Sequence, residues 1–267
     1  MENNYNLSDL SKCWDKLNIK KGDLIYVTGD LSYLGSYYNR KQILNDYYKT
    51  LSKAVGKNGT IAFPTHSWSL LNRGGIFSLK NTPSETGVLT EYLRKKKNNF
   101  RQFHPFSSTS AIGKFAKYIT ESKSKHVNGL DSPFEKIIKL KGKFISIGMP
   151  PNTTCTHIHH IELINNVPYR FIKEFKVRIK KKRITLENFF LFVCYKEIKA
   201  HHRDRNKKIF LNFKKKNKIF SFKLGKGSVY QYSMHDFYQE TMKLMKNDIY
   251  VWLKKKPKIK KWISKLL

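Results

Sequence analysis

Acidic residues are scarce in this sequence. Only 19 Asp and Glu stand against 53 Lys and Arg, a formal charge of +34 over 267 residues. So basic a chain draws nucleic acid, anionic lipid or phosphorylated small molecules and repels polycations at long range. Lys, Asn and Ile are all abundant, as AT-rich coding produces, so the charge also has a purely compositional explanation. Cysteine is scarce too. Cys13, Cys155 and Cys194 are odd in number and far apart, which excludes a disulfide framework and a Cys-x-x-Cys metal site and points to a reducing cytoplasm. No run of eighteen apolar residues occurs, so no spanning helix is expected. Residues 1–10 lack the basic-then-apolar pattern of a secretion signal. Internal repeats and long flexible linkers are missing as well.

What is present suits a folded protein: 40% hydrophobic and 14% aromatic residues. The length accommodates one large domain spanning residues 1–267. Strand and helix signals alternate through the first half. Leu10, Cys13, Trp14 and Leu17 have helical spacing, with Ser8 as the expected cap. Gly22–Val27, Gly59–Pro64 and Gly142–Gly148 read as buried strands, and Gln42–Lys53 and the segment after Pro83 as helices. The expected fold class is α/β, a layered central sheet flanked by helices. From about residue 171 the chain turns basic and β-rich. Residues 175–223 read as a meander of strands, with turns at Lys180–Arg183 and Lys214–Lys218 and alternation in Phe189–Lys199 and Ile209–Phe213. A final helix begins near Ser233. The tail beyond Leu253 interleaves lysines with Trp262, Ile263, Leu266 and Leu267. It reads either as an ordinary basic helix or as a contact with an anionic membrane surface, which would place the protein at the inner membrane face.

The densest chemistry lies between Thr153 and Glu162. If Thr156 opens a helix, its hydroxyl caps a free backbone N–H. His159 and Glu162, three apart, then share one face. Glu162 can hold one imidazole nitrogen of His159 and leave the other as a general base. Two other readings stay open for this segment. One is a zinc hydrolase built on His157, His159 and His160, although no Asp follows in the usual place. The other is a row of surface histidines on an amphipathic helix.

The segment Thr156-x-x-His159-x-x-Glu162 resembles the signature of the aminoglycoside 3-N-acetyltransferase family. Further blocks match in order. They are Gly22–Val27 leading to Leu31–Gly35, Pro83–Arg94, His104–Gly113, Asp131–Pro133, and Pro168-Tyr169-Arg170. The match is good over about residues 20–170, the expected cofactor and catalytic core, and loose beyond. Where many antibiotic-modifying members carry His-Ser-Ser after the first strand, this chain has Thr28-Gly29-Asp30. In this the chain looks closer to members associated with surface-polysaccharide amino sugars.

The resemblance implies an acyltransferase that joins acetyl-CoA, as co-substrate and without a metal, to a primary amine of an amino sugar or aminoglycoside. It implies His159 as base, Glu162 as its orienting partner and Thr156 as a donor to the thioester oxygen. For acetyl-CoA it implies Asp30, Leu31, Ser32 and Gly35 in the loop after the first strand. It adds Gly87 at a helix start, His104 and Ser108. An alternative from another class is a nucleic-acid or anionic-membrane binding protein on an inactive acetyltransferase scaffold, supported by the lysines interleaved with Phe and Tyr over 189–223. No sequence-specific nucleic-acid contact is expected of the enzyme.

Overall fold

The computed structural model describes residues 4–195, 206–254 and 256–257. The helices are α1 (Leu7–Lys16), α2 (Ile43–Val55), α3 (Ser69–Arg73), α4 (Val88–Arg94), α5 (Ala116–Thr120), α6 (Pro133–Lys139), α7 (Pro151–Thr154), α8 (Ile158–Ile164), α9 (Asn206–Lys215) and α10 (Met234–Asn247). The strands are β1 (Leu24–Gly29), β2 (Thr60–His66), β3 (Ile76–Phe77), β4 (Phe100–Arg101), β5 (Ser107–Gly113), β6 (Lys143–Ile147), β7 (Arg170–Lys180), β8 (Ile184–Cys194), β9 (Phe220–Leu224) and β10 (Gly227–Ser233).

Seven strands form a central sheet in the order β4-β5-β2-β1-β6-β10-β9. β2, β1 and β6 run parallel at its centre, and antiparallel strands complete both sides. The parallel strands are covered on both faces, which explains their unbroken apolar runs. Alternation along β1 shows how. Ile25 and Val27 pack with Trp14, Tyr47 and Leu51 of α1 and α2. Leu24 and Tyr26 point the other way, toward Phe134, Ile158, Ile161 and Phe237. The fold is thus α/β, with helical layers on both sides of the sheet.

A second sheet of three strands, β3-β7-β8, is built mainly from the long hairpin Arg170–Cys194. Its inner face, including Phe77, Phe175, Val177, Phe189 and Leu191, packs on Phe106. The basic turn at Lys181–Arg183 closes this hairpin, as its composition predicts.

Three expectations need correction. The first helix is capped by Asn6, whose side chain accepts from Ser8 and Asp9 N–H while Asp9 returns the bond, and not by Ser8. Residues 206–215 form a helix and not a strand, because Ile209, Phe210 and Phe213 bury one helical face while Leu211 is exposed. Thr156 does not cap α8; the cap position is His157, without a side-chain bond. The final helix starts at Ser233 as expected, with the Ser233 hydroxyl accepting from Asp236 N–H. Among the described residues no helix is long and apolar enough to cross a membrane. Trp262 to Leu267 and the end of the Phe189–Lys199 run lie outside the described residues.

Candidate active site

Parallel strands leave a crevice beyond their carboxyl ends, where the following loops diverge. A cleft of about 560 Å³ opens there, at the ends of β1, β2 and β6. This is an ordinary size for a small-molecule site. Its walls come from Val27–Leu31 at the end of β1, Pro64 and His66 of β2, Glu85–Thr90 around the start of α4, and residues between Ile147 and Thr156.

Gly29 makes the β1 corner feasible. Its φ is +130°, and a Cβ there would sit 2.0 Å from the Ile147 carbonyl oxygen. Gly87, at φ +120°, lies against the carbonyl of Gly29, 3.8 Å from where its Cβ would be. Asp30 does not aim its carboxylate inward as a free charge. It accepts from Ser32 N–H at 2.9 Å and so shapes the short 3-10 turn over Leu31–Leu34. Asp30, Leu31 and Gly87 border the cleft; Ser32 and Gly35 do not.

His104 and Ser108 are also set back from the cleft. Both are fully buried. His104 Nδ1 accepts from Phe106 and Ser107 N–H, fixing the turn into β5. Ser108 donates to the Thr65 carbonyl at 2.7 Å and accepts from Arg101 Nε at 2.9 Å. Their place in the fold is to hold the strand ends behind the cleft.

α8 carries three histidines into three environments. His157 is fully buried among Phe134, Phe144 and Phe237 and meets the Tyr232 hydroxyl at 3.3 Å. His160 accepts from Gly129 N–H through Nδ1, tying the Asp131–Pro133 loop to the helix. Burial and the neighbouring histidines His160 and His159 push His157 down to about 3. Burial is also the main cause that lowers His160 to about 4, against Glu135. Histidines so divided do not share a ligand sphere, and no group of three potential metal-binding side chains occurs among the described residues.

His159 alone points to the open side, with 28% of its side chain accessible. Its Nδ1 lies 2.6 Å from Oε2 of Glu162, which is fully buried. The Tyr169 hydroxyl donates to Glu162 Oε1 at 2.9 Å. Arg170 Nε forms an ion pair with Oε2 at 2.8 Å, off the hydrogen-bond axis. A buried carboxylate needs such partners, since an unpaired one is very costly. With Nδ1–H donated to Glu162, the Nε2 atom of His159 is left as the acceptor. Thr156, one turn before, borders the cleft and lies beside the Tyr26 hydroxyl.

Sequence reasoning missed His66. It ends β2, is 6% exposed and stacks edge-to-face on Trp68 at 5.3 Å. Burial, then Arg101 and His159, lower it to about 4, so it is neutral at ordinary pH. No spacing motif announces it, because a strand terminus gives a lone polar residue no periodic partner. Tyr169 and Arg170 fall in a matching block, yet only the fold shows that they meet Glu162.

The profile of the aminoglycoside 3-N-acetyltransferase family matches residues 27–246, most of the chain. The chain belongs to this family. An aminoglycoside N(3)-acetyltransferase III from Salmonella is 26% identical over 178 residues, 60% of each protein. The chain thus aligns with three-fifths of that relative's length. Among solved structures, the fold matches an AAC-IIIb binary complex with CoASH at 19% identity and TM-score 0.79, covering 91% of this chain and 97% of the other. It also matches AAC-VIa bound to sisomicin at 17% identity and TM-score 0.78, covering 91% and 98%.

Proposed function

We propose that the protein is an acetyl-CoA-dependent N-acetyltransferase acting on a primary amine of an aminoglycoside-like sugar. The observation that carries this reading is the His159–Glu162 pair, with its carboxylate buried and its imidazole open, beside a cleft at the strand ends. Family membership and the CoASH-bound relative support acetyl-CoA as the donor.

The chemistry follows from the groups present. An amine is mostly ammonium near neutral pH and must lose a proton before it can attack. His159 Nε2 takes that proton while Glu162 holds Nδ1–H. The amine nitrogen bonds to the thioester carbon, and negative charge grows on the carbonyl oxygen. Thr156 donates to that oxygen from the cleft wall. The carbon–sulfur bond then breaks, the nitrogen gives up its second proton and the thiolate accepts one. Cys155 is buried, as suits a structural thiol and not a nucleophile. Asp30, Leu31 and Gly87 are assigned to the donor side of the cleft. His104 and Ser108 support it from behind.

Charge bears on the acceptor. Among the described residues bordering the cleft, the charged ones are Asp30 and Glu85, with no Lys or Arg. Asp30 is turned to Ser32 on the donor side, so Glu85, held by Ser69 N–H, is the acidic group that favours a cationic, multiply aminated sugar. The net charge of +34 favours a second reading, an anionic nucleotide-linked amino sugar as in surface-polysaccharide synthesis. Local charges within a few ångströms outweigh distant screened ones, so the first reading is preferred. The nucleic-acid reading loses support because Phe189, Phe210 and Phe213 are buried, leaving those rings unavailable for base stacking.

The test is release of free thiol from acetyl-CoA against a panel of aminoglycosides and nucleotide-linked amino sugars. Release with an aminoglycoside supports the first reading, release only with the anionic sugars supports the second, and silence on both counts against the activity.

A further inference from the structure

We propose that His66 is a further catalytic residue, a neutral imidazole that donates its N–H to the thioester oxygen across the cleft from Thr156. The assignment rests on the acetyltransferase reading above and extends it to a residue outside the matching motif.

Three observations converge. His66 is nine-tenths buried yet borders the cleft that holds Thr156. Its ring nitrogens make no hydrogen bond among the described residues, and neither is sealed away from solvent. A buried polar ring normally finds a partner inside the protein, so nitrogens that open only to a cleft are poised for a ligand. The ring is also held in place. Trp68 packs on it edge-to-face, and the β2–β5 pairing fixes its backbone opposite Ser107.

The surroundings select the neutral form. Arg101 is buried beside the strand end, with Nη2 donating to the Thr65 carbonyl at 2.7 Å and Nη1 to the Thr82 carbonyl at 2.6 Å. Burial disfavours a positive charge on His66, and the fixed Arg101 cation and then His159 add to that. A neutral imidazole suits this reaction. It still has one N–H to offer an oxyanion, it does not repel a cationic acceptor, and it does not compete with His159 for the proton. His159 moves the proton and His66 steadies the oxygen.

The experiment compares His66→Leu, which keeps bulk and removes the donor, with His66→Gln, which keeps an N–H. Wild type and His159→Ala run alongside on the same acceptors, so failure of the acetyltransferase reading shows as inactive wild type. Loss of one oxyanion donor costs about 10²-fold in kcat. We expect that loss in His66→Leu, with KM for acetyl-CoA nearly unchanged, a melting temperature near wild type, and an unmoved acid limb in the pH–rate profile. His66→Gln should recover most of the rate. A wild-type kcat in folded His66→Leu, a defect confined to acceptor KM, or disappearance of the acid limb would each overturn the assignment. An activity-free readout stands beside it. Binding of a ketone analogue of acetyl-CoA, with methylene in place of sulfur, should shift the His66 imidazole resonances in ¹⁵N NMR; saturating binding with no shift also overturns the proposal.

Discussion

His159 Nδ1 and Glu162 Oε2 lie 2.6 Å apart across one turn of α8, and the two side chains differ sharply in exposure: 28% for the imidazole, none for the carboxylate. The pair therefore joins a buried carboxylate to an accessible imidazole. Glu162 also binds Tyr169 and Arg170, so its removal disturbs more than the base it orients.

His159→Ala and Glu162→Gln should separate chemistry from stability. His159→Ala is expected to lose at least about 10²-fold in kcat with stability within about 1 kcal/mol of wild type. Glu162→Gln removes the buried negative partner of Arg170 and should cost on the order of 3 kcal/mol or more, as well as activity. Thiol-release kinetics and urea denaturation on both variants check this; equal stability of the two would mean that the Arg170 ion pair contributes little.

Stability should fall on mild acidification. His104, His157 and His160 are buried, with pKa values lowered to about 3, 3 and 4, mainly by burial. The unfolded chain takes up protons near pH 6.5 that the folded one refuses. Their stabilising contribution is complete above that pH and is lost as pH falls toward the folded values. Each group adds a slope of about 1.4 kcal/mol per pH unit between roughly pH 6 and 5. Denaturation curves at pH 7.5, 6 and 5 should show the decline, and His157→Phe should flatten it.

Salt should act on the two substrates in opposite directions. The +34 protein repels a polycationic acceptor before it reaches the acidic cleft wall and attracts the anionic donor. Raising NaCl from low to about 0.2 M shortens the screening length to below roughly 10 Å. The acceptor KM should fall and the acetyl-CoA KM should rise. A rise in both would favour the anionic amino sugar.

Gly29→Ala should be destabilised. Its Cβ would meet the Ile147 carbonyl at 2.0 Å, and φ of +130° is unfavourable for alanine. A strain of this kind costs roughly 1–3 kcal/mol. Because Gly29 borders the cleft, acetyl-CoA binding should weaken along with the melting temperature. A silent substitution would show that the corner relaxes freely.

Much of this was legible in the sequence where local rules act alone. Buried strands read as apolar runs because the parallel centre of the sheet is covered on both faces. The spacing of His159 and Glu162 predicts their contact because one helical turn fixes it. The misreadings have physical causes as well. Ile209, Leu211 and Phe213 alternate, but Ile209, Phe210 and Phe213 equally form a helical face, and tertiary burial decided for the helix. Asn6 and Asp9 had the spacing of a reciprocal cap, which outweighs a nearby serine. His66 is set by its pairing with Ser107 about forty residues on, and Tyr169 and Arg170 reach Glu162 because the chain turns back after α8; neither follows from a helical or strand period.

The pairing of β6 with β10 has a consequence for synthesis of the chain. β6 ends at the cleft, and its outer side is completed by a strand some eighty residues later in sequence, with Tyr232 reaching back to His157. A growing polypeptide therefore carries every proposed catalytic side chain well before the sheet around them can close. Until residues 227–233 leave the ribosome, the edge of β6 is an open template for wrong partners. Enzymatic activity would then arise late, as a marker that the final strand has docked.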